Sequence, residues 1–171
     1  GGALAMNAGA FGGETWTLVE TVETLDRTGR RHVRTPEDYQ VAYREVRGPG
    51  GEWFVAAVLR LAPGDATQAL AAVKGLLAQR GASQPTGQPS GGSVFRNPPG
   101  DHAGRLIEAC GLKGHAIGGA RVSEKHANFI VNEGSATAGD IEALIRHVMQ
   151  TVEVRQGVRL VTEVHIVGEA P

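Results

Sequence analysis

The chain has 171 residues, 41% of them hydrophobic and 20% charged, which is globular composition with room for one full domain or a small domain and part of another. Its formal net charge of −1 with six scattered histidines offers no basic face for nucleic acid, and no apolar run reaches the length that spans a bilayer. A lone cysteine, Cys110, excludes an internal disulfide and sits in an apolar helical pattern as a structural thiol; no signal peptide and no metal-ligand spacing can be read, so the expectation is a soluble cytoplasmic protein without a metal.

The opening run Gly1-Gly2-Ala3-Leu4-Ala5-Met6-Asn7-Ala8-Gly9-Ala10-Phe11-Gly12-Gly13 carries no helix or strand signal. Its glycines allow close approach of backbone to a ligand or to other backbone, and the chain reads as the C-terminal part of a longer protein. Trp16 to Leu25 is rich in β-branched residues and reads as a strand; Asp26-Arg27-Thr28-Gly29 turns it back into a second strand, Arg31 to Arg34. Thr35-Pro36-Glu37-Asp38-Tyr39 has the proline and acids of a helix start. After a Gly48–Gly51 turn, Trp53 to Leu61 predicts a buried apolar strand. Pro63-Gly64 then interrupts the pattern, placing a domain boundary near residues 62 to 66.

Leu70, Val73, Leu76 and Leu77 recur at helical spacing beyond that boundary. Ser83 to Gly92 reads as a loop, Leu106, Ile107 and Cys110 mark a further helix, and Ala120–Ser123 and Asn128–Asn132 predict short strands. Thr137 with Asp140 resembles a capping box. Ile141, Leu144, Ile145, Val148 and Val152 line one face of a long helix that Gly157 stops. Val158 to Val167 alternates and predicts a closing strand. The sum is an α+β chain divided into residues 1–64 and 65–171.

Three residues stand out for chemistry. Ser93, in Gly91-Gly92-Ser93-Val94-Phe95-Arg96-Asn97-Pro98, lacks a nucleophile elbow and a base placed by motif. Its hydroxyl can instead protonate a strong base such as a carbanion; the alternative is a serine that caps its own loop. Arg44 offers a planar cation suited to carboxylate or phosphate, against the alternative of a solvated surface arginine. Glu163 lies on the closing strand and faces either solvent or a site. Lys125-His126-Ala127-Asn128 supplies cationic and amide donors, or merely a polar turn.

Together these segments resemble the UDP-N-acetylenolpyruvoylglucosamine reductase family, flavoenzymes that complete UDP-N-acetylmuramate synthesis for the bacterial cell wall. The resemblance runs through Asn7-Ala8-Gly9-Ala10-Phe11-Gly12, Tyr43-Arg44, Arg80 with Gln84-Pro85, Gly92 to Pro98, Ala103 to Glu108, Gly111 to Gly114 and Ile117 to Ala120. It continues through Lys125 to Phe129 and Glu163 to Gly168. It implies the end of a PCMH-type FAD-binding domain, residues 1–64, followed by a C-terminal α+β substrate-binding domain, residues 65–171. It also implies the shorter of the family's two forms, without a tyrosine-bearing insertion.

By the same resemblance NADPH reduces FAD, and hydride then passes to the enolpyruvyl methylene carbon of UDP-N-acetylglucosamine enolpyruvate. Ser93 would protonate the adjacent carbanion. Arg44 and Glu163 would bind and polarise the substrate carboxylate, Glu163 only as the neutral acid or through a shared hydrogen bond, since two facing carboxylates repel. Asn7, Ala8, Gly9, Ala10 and Gly12 would contact FAD, and Arg80, Gln84 and Asn97 would hold the UDP moiety. The family implies a monomer. One departure stands beside Arg44: Val46 occupies a position where the family usually has serine. The competing expectation is an isolated fragment that binds UDP-sugar without flavin.

Overall fold

A computed structural model describes residues 1–168 as two compact units, Gly1–Asp65 and a second that begins at Ala66. The opening run, without a signal in the sequence, forms a single helical turn, α1 (Gly2–Ala5), and a miniature hairpin of β1 (Gly9–Ala10) and β2 (Gly13–Glu14). Phe11 and Gly12 make its turn with φ of 52° and 82°, the pair of positive values that a tight two-residue hairpin demands. A 3₁₀ turn at Thr15–Leu18 follows, so the strand predicted from Trp16 begins only at Val19.

That strand, β3 (Val19–Asp26), is the centre of an antiparallel sheet with β4 (Arg31–Arg34) on one side. The joining turn is held by Asp26, whose Oδ1 accepts from the Thr28 amide at 2.8 Å and the Arg30 amide at 3.1 Å, with Gly29 at φ 85°. The expected helix at Thr35–Tyr39 is only a 3₁₀ turn, Pro36–Asp38, with a Thr35/Asp38 capping box; the chain then enters a short hairpin, β5 (Gln40–Ala42) and β6 (Glu45–Arg47). β7 (Glu52–Leu59) completes the sheet on the other side of β3.

A charged staple crosses this sheet. The Glu52 carboxylate accepts from Thr24 Oγ1 at 2.5 Å and from Arg34 Nη2 at 2.5 Å and Nε at 3.2 Å, and these bonds hold its pKa below the ordinary carboxylate range. The core of the unit is small: Leu4, Trp16, Val19 and Val22, packed by Tyr39, Val46 and Phe54. Trp16 lies 4.7 Å from the Tyr39 ring and donates its indole N–H to the Leu4 carbonyl at 2.8 Å. The prediction that β7 is buried fails here. Trp53, Val55, Val58 and Leu59 are exposed, because within this unit the cluster around Trp16 packs against Phe54 and reaches little further along β7.

The second unit opens with α2 (Ala66–Ser83). Its helical spacing was legible, but Leu70, Val73, Leu76 and Leu77 are all exposed. Part of the expected 83–92 loop is a strand instead, β8 (Ser90–Ser93). Its glycines and serines carry no strand propensity; pairing to β11 (Phe129–Asn132) imposes the extended form. With β9 (Ala116–Ile117) and β10 (Ala120–Val122) these strands make an antiparallel sheet of order β8-β11-β10-β9. α3 (Ala103–Ala109) and α4 (Ala138–Gln156) bury Leu106, Ile107, Leu144, Ile145, Val148 and Val152 against Val94, Phe95, Val122, Ile130 and Leu160.

α4 begins and ends where its sequence dictates. Thr137 Oγ1 accepts from the Asp140 amide at 3.1 Å while Asp140 Oδ2 accepts from the Thr137 amide at 2.9 Å, and Gly157 stops the helix in the left-handed region at φ 68°. Ahead of α3, Asp101 accepts from Arg105 Nε at 2.7 Å and from the His102 amide at 2.7 Å. The Arg105 guanidinium is the larger influence, and together they push the Asp101 carboxyl down to about 2. The closing strand predicted for Val158–Val167 is not formed. This segment packs on the core through Val158, Leu160 and Val164, but its one β-bridge pairs Thr162 with Phe95, where no strand continues for it to follow.

Two outcomes follow. Replacing the cap, Thr137→Ala, lowers stability by about 1 kcal/mol, whereas Leu144→Ala, at a fully buried position, lowers it by roughly 2–5 kcal/mol; urea denaturation followed by helical circular dichroism reads both. In an NMR pH titration Asp101 titrates near 2 and Arg105→Ala returns it toward the ordinary range. Because the folded pKa is depressed, its stabilising contribution is present above the unfolded carboxylate pKa and disappears as pH falls toward 2.

Candidate active site

In the first unit Arg44 occupies the turn between β5 and β6 with φ 55°, a value a long side chain adopts only under constraint. Its Nη2 donates to the Gly9 carbonyl at 2.8 Å and its Nη1 to the Asn7 carbonyl at 3.5 Å, and its guanidinium lies 5.3 Å from the Tyr43 ring centroid. The arginine is thereby tied to the glycine-rich hairpin. Val46, the departure from the family pattern, points into the apolar cluster instead of bonding to Arg44.

Asn7 is fully buried. Its Oδ1 accepts from the Trp16 amide at 3.2 Å, and its Nδ2 donates to Glu14 Oε2 at 2.8 Å and the Ala42 carbonyl at 3.3 Å. The Asn7 side chain is thus a scaffold that joins hairpin, 3₁₀ turn and β5. Ala8, Ala10 and Gly12 are exposed. Gly9 packs so closely that a Cβ there would lie 2.6 Å from the Gly13 carbonyl oxygen, and Ala8, Gly9, Ala10, Gly13 and Glu14 line one shallow recess. The glycines and alanines at its rim leave the backbone there approachable. Glu14, the partner of Asn7, drew no attention in the sequence, where nothing sets it apart from a surface glutamate.

In the second unit Ser93 ends β8. Ser93 pairs with Phe129 and Ser90 with Val131, so three steps on β8 match two on β11. The extra residue is a β-bulge, with Gly92 at φ 82°, and bulges re-aim the side chain that follows. Ser93 faces a polar cleft that also holds Asn97, His102, Arg105, Glu108, Lys125, His126 and Asn128. Burial pushes the His126 imidazole below its ordinary pKa, and the Asn128 amide donates to its Nδ1 at 3.2 Å, which leaves the proton of the neutral ring on Nε2.

The backbone ties Glu163 to Val94, the residue after Ser93. The Glu163 amide donates to the Val94 carbonyl at 2.8 Å, and the Arg96 amide donates to the Val161 carbonyl at 2.9 Å. On the opposite edge the Phe95 amide donates to Asn128 Oδ1 at 3.0 Å, while Asn128 Nδ2 donates to the Phe95 carbonyl at 2.8 Å. The Val94 amide donates to the Asn128 carbonyl at 2.9 Å. Leaving either Phe95 group unsatisfied at this depth would cost roughly 1–3 kcal/mol. Ser93 therefore leads into a peptide segment bound on both edges, with Glu163, itself half-buried, on one of them.

The candidates for the UDP moiety divide. Arg80 Nε donates to Gln84 Oε1 at 3.0 Å, and the two line a recess with Leu77, Pro85, Thr86 and Gly92. Asn97 lies in the Ser93 cleft instead, and its Oδ1 accepts from the Ala103 amide at 3.1 Å, capping α3 where His102 supplies no side-chain cap. Lys125 Nζ donates to the Gly81 carbonyl at 2.5 Å. His102 and Arg105 also line the Ser93 cleft, a part that the sequence pattern did not assign them, while Asn128 comes from the Lys125–Asn128 segment already noted for its donors. Among the described residues no group of three or more histidine, cysteine or acidic side chains could hold a metal, and no helix is long and apolar enough to cross a membrane.

Residues 84–167 match the family described as UDP-N-acetylenolpyruvoylglucosamine reductase, C-terminal domain. The chain is 68% identical over 170 residues to the UDP-N-acetylenolpyruvoylglucosamine reductase of Alkalilimnicola ehrlichii, a match that covers 99% of this chain and 57% of the relative. It is 66% identical over 170 residues to that of Methylococcus capsulatus, with 99% and 56% covered. In fold it is similar to the crystal structure of UDP-N-acetylenolpyruvylglucosamine reductase from Thermus caldophilus, with TM-score 0.78 and 37% identity, over 94% of this chain and 57% of that one. The chain thus spans little more than half the length of these relatives, and the matches cover both units. The chain belongs to the UDP-N-acetylenolpyruvoylglucosamine reductase family.

Proposed function

We propose that this chain supplies the proton-donating and substrate-binding part of an NADPH- and FAD-dependent reductase that converts UDP-N-acetylglucosamine enolpyruvate to UDP-N-acetylmuramate in bacterial peptidoglycan synthesis. Family membership supports the reading, and one observation carries it: the Glu163 amide bonds to the Val94 carbonyl at 2.8 Å, which fixes the Glu163 backbone against the residue that follows Ser93. In this reading residues 1–64 are the end of the FAD-binding domain and residues 65–171 the substrate domain.

The recess in which Ala8, Gly9, Ala10 and Gly13 sit with Glu14, Thr15, Thr17 and Leu18 suits a flat cofactor along its glycine-alanine side, where the backbone is approachable. FAD bound there would accept hydride from NADPH and supply it to the enolpyruvyl methylene carbon. Ser93 gives its hydroxyl proton to the neighbouring carbon, which has become carbanionic, and recovers one from solvent afterwards. A serine hydroxyl suffices because the base it protonates is strong. Arg44 stabilises the charge that develops on the substrate carboxylate, and its position is set in advance by the Gly9 and Asn7 carbonyls. Glu163 shares a hydrogen bond with the same carboxylate. Arg80 and Gln84 contact the UDP group from their common recess, and Asn97 from the Ser93 cleft.

The test uses the full-length, FAD-loaded protein. Ser93→Ala leaves reduction of the flavin by NADPH unchanged and slows its reoxidation by substrate roughly 100- to 10,000-fold, the usual contribution of a general acid. Stopped-flow absorbance separates the two half-reactions, and reoxidation at the normal rate would remove Ser93 from this role.

A further inference from the structure

We propose that Asn128 is the positioning residue for Ser93, its side-chain amide clamping the Phe95 peptide and so fixing where the Ser93 hydroxyl is presented. The inference rests on the reading of Ser93 as proton donor and extends it to a residue whose side-chain amide is engaged by the Phe95 backbone.

The geometry leaves Phe95 one way to satisfy its backbone. In its antiparallel bridge with Thr162 the ladder bonds are made by the flanking residues, Val94 and Arg96. The N–H and C=O of Phe95 itself therefore point to the other edge. No strand backbone meets them there, because β11 starts one residue after Asn128 and pairs with Ser93 through Phe129. The Asn128 amide takes the place of the missing strand, accepting at Oδ1 and donating from Nδ2. Both partners are shielded, Asn128 at 4% exposure and Phe95 at 2%.

The clamp is itself held. The Asn128 carbonyl accepts from the Val94 amide and its N–H donates to His126 Nδ1. α3 lies beside the clamp: a Cβ placed on Gly104 would lie 3.7 Å from the Asn128 Cβ. The side-chain chemistry is specific. Aspartate accepts from the Phe95 amide but turns a second lone pair on its carbonyl, and alanine reaches neither group. The bulge at Gly92 adds the need for such a clamp, since an extra residue on β8 loosens the ladder immediately before Ser93.

The same stopped-flow assay on full-length, FAD-loaded protein tests the proposal. Asn128→Asp and Asn128→Ala should leave reduction by NADPH normal and slow reoxidation by substrate on the order of 100-fold, the effect of misplacing a reacting group by about 1 Å. Joined to Ser93→Ala, each should add no further slowing, since Asn128 acts only through Ser93. Asn128→Asp should regain rate as pH falls and its carboxyl regains a donor, relative to Asn128→Ala at each pH. Slowing that multiplies with Ser93→Ala, or a normal rate in Asn128→Asp, would overturn the proposal. Hydrogen exchange in the unaltered protein tests it without a variant: a Phe95 amide as labile as an open loop also overturns it. Normal reoxidation in Ser93→Ala alone would instead remove the underlying reading of Ser93, a result distinct from the others.

Discussion

A buried peptide group must find a partner on each edge, and in the second unit that demand falls on Val94-Phe95-Arg96. One edge is met by residues 161–163 and the other by Asn128. Around this short stretch the remaining elements take their places. Phe95 and Val94 join the core beneath α3 and α4, β8 enters it through a bulge, and the final segment is fastened to it. The side chains of Val94 and Phe95 supply apolar burial, while their backbones fix register and direction. The same three residues thus carry packing and presentation together, and Ser93 inherits its orientation from both.

The first unit obeys a related rule with different materials. Its core is small, and cross-strand polar bonds do part of the ordering: Thr24, Arg34 and Glu52 across the sheet, Asn7 among hairpin, 3₁₀ turn and β5. Asn7 and Asn128 are alike in this. Each is a buried amide that satisfies backbone where regular pairing stops, and each lies beside a residue proposed for chemistry. Buried amides of this kind make conformations unique at the cost of tolerance, because a partly satisfied network is worse than none.

Local signals carried much of the fold. The β3–β4 hairpin followed from β-branched residues and an Asp-x-x-Gly turn, and α4 followed from its apolar face, its capping box and Gly157. These depend on neighbours within a few residues. What failed depended on distant ones. β8 is Ser-Gly-Gly-Ser and is a strand only because β11 pairs with it; Val158–Val167 has strand alternation but meets only three residues of partner. The periodicity of α2 and the apolar character of β7 were read correctly as pattern, yet their burial is a property of what packs on them. Among the candidate residues, Arg44 in the first unit and Ser93 and Glu163 in the second stood out through motif resemblance. Asn128 was read as an amide donor at the start of a strand or as part of a polar turn, and its bonds to Phe95 stayed hidden because they span 33 positions; Glu14 looked like any surface glutamate. Asn7 was legible as part of the hairpin but not as the buried strut it is.

The backbone of Arg44 has a thermodynamic consequence of its own. A φ of 55° for a non-glycine residue is held against a local preference of roughly 1–3 kcal/mol, and two carbonyls grip the guanidinium while Tyr43 lies against it. An arginine on an open surface loses the freedom of several torsions when it meets an anion. Here that loss is absorbed when the chain folds, before any anion arrives. Folding therefore carries part of the entropic burden of recognition, and an anion that meets this cation meets one whose geometry is already chosen.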